Sequence, residues 1–119
     1  VRAVDLIFVT HGLSQAVVFA DQEATMSQVR WDIRNGISSN SRRKLRMVFS
    51  TACYGGSHRY YWRNAGFECV SGGRRIYADS GTSYIAFLSA WSGFSTWWDV
   101  NSYRDVSGRG HLRITHRPY

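Results

Sequence analysis

The stretch that most constrains the fold is a buried-strand pattern that ends on a cysteine and paired glycines. Residues 45–52 have strand character, and the run Cys-Tyr-Gly-Gly follows them at positions 53–56. An apolar run of this length, bounded by glycines, is typical of a strand inside a sheet followed by a sharp turn. We therefore expect Cys53 at the carboxyl end of a buried strand. In open α/β sheets, ligands bind at that edge.

A second stretch has the same design. Residues 5–10, Asp-Leu-Ile-Phe-Val-Thr, read as a buried strand that ends on His11-Gly12. If the two strands lie parallel and adjacent, His11 and Cys53 emerge at the same edge of the sheet. A base would then stand beside a potential nucleophile. Nearby backbone N–H groups would favour the thiolate form of the cysteine.

The segment between these strands predicts a crossover. Residues 16–20 read as a short strand, an edge hairpin or flap beside the site. The run Asp-Gln-Glu at 21–23, with two acidic residues, predicts the start of a helix that ends at Asn35-Gly36. We expect this helix to face a sheet with an apolar stripe. That stripe consists of Met26, Val29 and Ile33. The polar residues 38–43 predict an exposed connection. The order strand, helix, strand favours a parallel crossover.

The second half of the chain continues this alternation. Residues 55–64 predict a helix whose aromatic side chains pack on the sheet. Residues 67–70 and 75–78 are strand-like and are separated by Ser-Gly-Gly, and we expect at least one of them beside the Cys53 strand. Residues 79–83 predict a capping loop before another helix. Its apolar face comprises Tyr84, Phe87, Leu88 and Trp91, and residues 111–115 read as a last strand.

These patterns together predict an α/β fold. We expect a mostly parallel sheet with flanking helices, a three-layer sandwich, formed by residues 1–119 as a single domain. The apolar share of 44% is typical of a packed globule. The apolar runs are all shorter than the roughly 18 residues that a membrane-spanning helix needs, so no membrane segment is predicted.

Charge and cysteine content bound the function classes. The net charge of +7 favours encounters with acidic partners, including nucleic acid. The basic cluster at 42–44 reads as a solvated turn. Two cysteines make neither a disulfide framework nor a zinc site, and no metal or cofactor is predicted. Cys69 lies in a short apolar strand pattern, where a structural buried thiol is expected.

The order of these motifs resembles the caspase-like cysteine peptidases, and most of all the legumains. Val-Thr-His-Gly at 9–12 is similar to the family's His-Gly strand end, and Met-Val-Phe-Ser-Thr-Ala-Cys at 47–53 is similar to its Ala-Cys strand. Gly56-Ser57 falls where the family's next helix begins, and Thr-Ser-Tyr at 82–84 resembles the Ser-Ser-Tyr of the primary specificity pocket. The resemblance covers roughly residues 5–100. It implies the haemoglobinase-like arrangement of the sheet.

The resemblance also implies roles for individual residues. Cys53 would be the nucleophile of a cysteine endopeptidase, and His11 would protonate the departing amine and then activate water. The family separates these two groups, so no direct hydrogen bond between them is required. The Gly12 and Cys53 backbone N–H groups would form the oxyanion hole. Substrate-binding residues would be Ser80, Ser83 and Asp79. His58 follows the glycine turn but lacks the strand-end position of His11.

The chain departs from the family at several points. Thr51 stands where legumains carry a glutamate, and residues 86–98 contain no carboxylate to match a later pocket aspartate, so a preference for asparagine is not implied. The family has strands ahead of the His-Gly strand, which favours the interpretation that this chain is a fragment of a longer catalytic domain. Asp79 could contact a basic side chain of a substrate, although capping the next helix is the simpler role.

Other function classes remain open at this level. The partner predicted by the resemblance is a peptide or protein substrate. A domain with the same fold but without activity would act as a binding module, with His11 and Cys53 as structural residues. A basic domain could instead bind nucleic acid, in which case binding should fall steeply with salt. A nucleophile, a base and an oxyanion hole also fit hydrolysis of a different acyl substrate.

Overall fold

The computed structural model of the protein describes residues 2–73, 80–93 and 112–116. The strands are β1 (Val4–Phe8), β2 (His11–Leu13), β3 (Ala16–Val18), β4 (Glu23–Thr25), β5 (Leu45–Ser50), β6 (Cys69–Gly73) and β7 (Leu112–His116). The helices are α1 (Met26–Gly36), α2 (Ser39–Arg42), α3 (Arg59–Ala65) and α4 (Ser80–Ser92), and a 3-10 turn (Gly55–His58) leads into α3.

The main sheet has four strands in the order β1, β5, β6, β7. The pairs β1–β5 and β5–β6 are parallel, whereas β7 runs antiparallel to β6. The predicted α/β class is therefore confirmed, with a parallel three-strand part flanked by helices. The predicted strands at 5–10 and 45–52 do lie parallel and adjacent, as β1 and β5. The prediction that the first of them ends on His11-Gly12 is wrong, because β1 ends at Phe8 and these two residues belong to β2 of the second sheet.

Two apolar clusters cover the two faces of the sheet. In β5, Val48 packs toward α1 and α3, whereas Met47 and Phe49 pack toward α4. This alternation is what the period of two in a strand requires. On the α4 face, the rings of Phe49 and Phe87 stack with centroids 4.0 Å apart. Burying a side chain of this size stabilises the fold by roughly 1.5–3 kcal/mol.

A small antiparallel sheet of β2, β3 and β4 lies between β1 and α1 in the chain. It confirms the hairpin expected for residues 16–20. The predicted helix start at 21–23 is wrong, because Glu23–Thr25 pairs with β3 and the helix begins at Met26. Thr25 is the N-cap, and its Oγ1 accepts from the Gln28 amide at 3.2 Å. The predicted stripe of α1 does pack on the sheet.

Two predictions in the second half need correction. The Ser-Gly-Gly at 71–73 is the buried end of β6, not a separator between strands. Glycine is a weak strand former, and pairing with β5 on one side and β7 on the other holds this segment in the strand. The loop predicted for 79–83 is wrong at Ser80–Ser83, which already belong to α4. The strand predicted at 75–78 lies outside the described residues.

The remaining elements behave largely as their patterns indicate. The connection at 38–43 is mostly exposed, although it contains the short helix α2. In α3, Trp62 is buried in the core, whereas Tyr60 on the same helix is 63% exposed. Among the helices of the described segments, none combines the length and apolar character that crossing a membrane requires.

Candidate active site at the carboxyl edge of the sheet

The strands β1 and β5 end level with each other. Phe8 is the register partner of Ser50, and the Thr51 amide donates to the Phe8 carbonyl oxygen at 3.0 Å. His11 follows Phe8 by the same number of residues as Cys53 follows Ser50. The parallel register therefore brings both predicted catalytic residues to one edge of the sheet.

Gly12 makes the contact that joins the two segments. A Cβ atom at Gly12 would lie 2.2 Å from the Cys53 carbonyl oxygen and 2.9 Å from the Ala52 Cβ. Real side chains do not approach backbone this closely, so only glycine lets β2 pack here without a shift. The structure thus packs Gly12, the residue after His11, directly against the Cys53 backbone and the Ala52 side chain.

Both candidate side chains are accessible from solvent. His11 is exposed, and Cys53 is half-buried. Because side chains alternate along a strand, Gly12 faces Cys53 while His11 and Leu13 stand on the outer face of the small sheet. Leu13 is accordingly 45% exposed. The histidine therefore lies one residue away from the backbone contact and on the side open to solvent.

The second cysteine lies in a different environment. Cys69 is 8% exposed in β6, on the face covered by α4. Burial raises the pKa of this thiol, and the charge of Glu68 adds to the increase. A thiol held protonated in this way is a poor nucleophile. The expectation that Cys69 is a structural buried thiol agrees with this placement.

The turn after Cys53 is pressed against β6. Tyr54 takes the left-handed conformation with φ 57°, and the Gly55 amide donates to the Ala52 carbonyl at 3.0 Å. A Cβ atom at Gly72 of β6 would lie 2.4 Å from the Gly55 carbonyl carbon. The glycines of the turn and of β6 therefore allow a backbone contact that fixes the path of the chain beyond Cys53.

His58 is a residue of this region whose role the sequence did not reveal. It is fully buried, and its Nε2 donates to the Leu13 carbonyl oxygen at 2.8 Å. Burial lowers its pKa, and bonding to the backbone of Leu13 and Ala16 opposes that effect only in part. The imidazole is therefore kept neutral and joins the turn to the β2–β3 hairpin. The small residues Gly-Gly-Ser directly before His58 were the sequence feature that indicated close packing around it.

Of the three predicted substrate-binding residues, the structure describes Ser80 and Ser83, both in α4. Phe87 of α4 stacks on Phe49, and the Trp91 indole Nε1 donates to Asp5 Oδ2 at 3.2 Å. Along α4 the chain therefore runs from the carboxyl edge toward the amino edge of the sheet. Its first turn contains Ser80 and Ser83. Asp79 lies outside the described residues.

Metal binding is not indicated where the structure is described. Within 2–73, 80–93 and 112–116, no group of three or more His, Cys, Asp or Glu side chains could hold a metal ion. No protein-family model, curated protein or solved structure matches this chain.

Proposed function

We propose that the protein is a cysteine endopeptidase in which Cys53 is the nucleophile and His11 is the general acid and base. The observation that supports this most directly is the backbone contact of Gly12 with Cys53. It joins β2, which begins at His11, to the turn after β5 that contains Cys53, and both side chains are accessible from solvent. Contact of this kind is what a histidine and cysteine dyad needs to act on one substrate bond.

The proposed reaction has two steps. The Cys53 thiolate attacks the peptide carbonyl carbon, the carbon–nitrogen bond breaks, and the departing amine takes a proton from the His11 imidazolium. His11 then takes a proton from water, the hydroxide attacks the thioester, and the Cys53 thiolate leaves. The Gly12 and Cys53 backbone N–H groups are the proposed oxyanion donors. One such donor is worth about 3–4 kcal/mol of transition-state stabilisation.

The outward position of His11 fits a separated dyad. His11 stands on the outer face of β2, and Cys53 follows the end of β5. In the proposed complex the substrate lies between these two groups, as the resemblance to caspase-like peptidases implies. We also propose the caspase-like arrangement for the sheet, because the parallel β1–β5–β6 core carries the two motifs in the family's order. Ser80 and Ser83 are the proposed pocket residues, by their place in the first turn of α4.

The test is covalent labelling with acyloxymethyl ketones that carry Arg, Lys, Asn, Asp or Leu at the position next to the reactive group. We expect one of these probes to label the wild type at a single thiol and to leave Cys53→Ala and His11→Ala unlabelled. Cys69→Ala is the matched control and should be labelled at the wild-type rate. Labelling that survives in His11→Ala, or that occurs at Cys69, would contradict the proposed dyad.

A catalytically inactive peptide-binding module is the second candidate. Apolar side chains are exposed on both sides of His11, with Val9 58% exposed, Leu13 45% and Phe19 40%. Such a surface could hold a peptide without cutting it. This candidate predicts that iodoacetamide reacts with Cys53 no faster than an unactivated, equally accessible thiol at neutral pH. Faster reaction that is lost in His11→Ala would favour the peptidase.

A further inference from the structure

The β2–β3 hairpin is attached to the segment after Cys53 by a set of hydrogen bonds that we call the hairpin clasp. The Gln15 amide donates to Ser57 Oγ at 2.9 Å, and His58 Nε2 donates to the Leu13 carbonyl at 2.8 Å. The Tyr61 hydroxyl donates to Gln15 Oε1 at 3.0 Å. All of these bonds join the tip of the hairpin to the 3-10 turn or to α3.

The clasp reaches both halves of the candidate site. Ser57 Oγ also donates to the Tyr54 carbonyl at 2.8 Å, so it links Gln15 to the residue after Cys53. Gln15 has φ 58°, a left-handed turn that aims its amide at Ser57. The hairpin tip and the cysteine turn are therefore tied through one hydroxyl group.

His58 binds β2, the strand that contains His11. Leu13 follows directly after Gly12, the residue in contact with Cys53. The imidazole end of this bond is buried, because His58 has no exposed surface, whereas Leu13 is 45% exposed. Removing the imidazole takes away the group that holds the Leu13 carbonyl from inside the protein, so losing it should shift β2.

We infer that His58 is a positioning residue of the proposed site: its bond to the Leu13 carbonyl keeps His11-Gly12 against Cys53. The role rests on the proposed peptidase function. His58 does not contact the substrate and takes no part in proton transfer. A shift of reacting groups by about 1 Å can lower the rate roughly 100-fold. Holding β2 in place is therefore enough to control the reaction.

Two variants test the inference. His58→Gln keeps a side-chain N–H donor at a similar reach, whereas His58→Leu fills the space without one. With the acyloxymethyl ketone that labels the wild type, we expect His58→Leu to lower the maximal labelling rate roughly 100-fold. The probe concentration at half-maximal rate should change little. His58→Gln should recover most of the rate.

A control separates positioning from stability. Phe67 is 3% exposed and packs in the core beside α3, away from the clasp. Phe67→Leu should lower the free energy of unfolding while the folded variant keeps the wild-type labelling rate. Folded His58→Leu that labels at the wild-type rate, or His58→Gln that labels as slowly as His58→Leu, would overturn the inference.

Amide hydrogen exchange tests the clasp without using activity. We expect the Gln15 amide to exchange at least about tenfold faster in His58→Leu, because the hairpin tip opens more often. Unchanged exchange would overturn the inference even if the wild type is labelled. Fast exchange together with an unlabelled wild type would overturn the proposed peptidase and the positioning role, and would leave His58 as a support of the hairpin alone.

Discussion

The two edges of the main sheet are held together in different ways. At the carboxyl edge, Gly12 meets Cys53 and Gly72 meets Gly55 through backbone atoms. At the amino edge, contacts between long side chains add to backbone hydrogen bonds such as that from the Val4 amide to the Lys44 carbonyl at 2.7 Å. Arg46 forms an ion pair with Asp5, and its guanidinium lies 5.4 Å from the centroid of the Trp91 ring.

The difference concerns how much each edge can adjust. Long side chains can turn to new rotamers when a neighbour changes, and Arg46 remains 48% exposed. Backbone atoms in direct contact can move only if whole segments move with them. The side chains at the amino edge therefore attach α4 to the sheet. The backbone contacts at the carboxyl edge fix the positions of the segments that follow β1 and β5. A site that needs two strand ends in fixed places belongs at the second kind of edge.

The largest effect on stability should come from the α4 side. Phe87 is 1% exposed and stacks on Phe49, so Phe87→Ala should lower the free energy of unfolding by about 3–5 kcal/mol. Urea denaturation measures this loss. If α4 packs on the sheet without affecting the carboxyl edge, Cys53 in the folded variant should react with iodoacetamide at the wild-type rate. A large fall in reactivity would show that α4 also sets the position of the thiol.

Gly12→Ala should lower stability less but should remove labelling. The added methyl group would lie 2.2 Å from the Cys53 carbonyl, and overpacking of this kind costs about 1–3 kcal/mol. We expect acyloxymethyl ketone labelling of the folded variant to fall below detection. Gly36→Ala is the matched control, because nothing lies within 4 Å of its Cβ position. An equal effect of both substitutions would contradict the importance of the backbone contact.

Acid should lower the stability of the protein through His58. Burial lowers the pKa of His58 below its ordinary value of 6.5, so the unfolded chain binds a proton before the folded one does. Stability is then fully present above pH 6.5 and is lost as the pH falls toward the folded pKa. Urea denaturation from pH 7.5 to 5 should show a steeper decline for the wild type than for His58→Gln. Parallel curves would exclude this contribution.

The smallest effect is expected at the amino edge. Burial raises the pKa of Asp5, but the hydrogen bonds from Arg46 and Trp91 and the charge of Arg46 outweigh it and lower the pKa overall. Because the pair is partly exposed, Asp5→Asn should cost less than about 1 kcal/mol. The difference from the wild type should shrink in 1 M salt. If Asp5→Asn lowered the free energy of unfolding as much as Gly12→Ala does, the proposed difference between the two edges would be wrong.

The main strands could be predicted from the sequence because each of them is a local pattern. The apolar runs that form β1 and β5 are recognisable without any knowledge of their partners, and parallel order then brings their ends together. The acidic start of β4 looks like a helix start instead. Only its pairing with β3 decides against that, and pairing is a tertiary effect.

The clasp could not be predicted for the same reason. His58 and Leu13 are far apart in the chain, and a buried imidazole bound to a carbonyl leaves no periodic pattern. His11 and Cys53 were recognisable because each follows a strand. The glycines at 55 and 72 were visible, but their contact with each other depends on how β6 pairs with β5.

The parallel pairing of β1 with β5 also affects the order of folding. The strands β2, β3 and β4 are close in the chain, so the hairpin sheet closes only short loops as it forms. Joining Val4 to Leu45 requires the whole intervening segment to be brought back, which is a slower step. On the proposed function, a chain that has not completed this crossover has a histidine and a thiol but no means of cutting its neighbours.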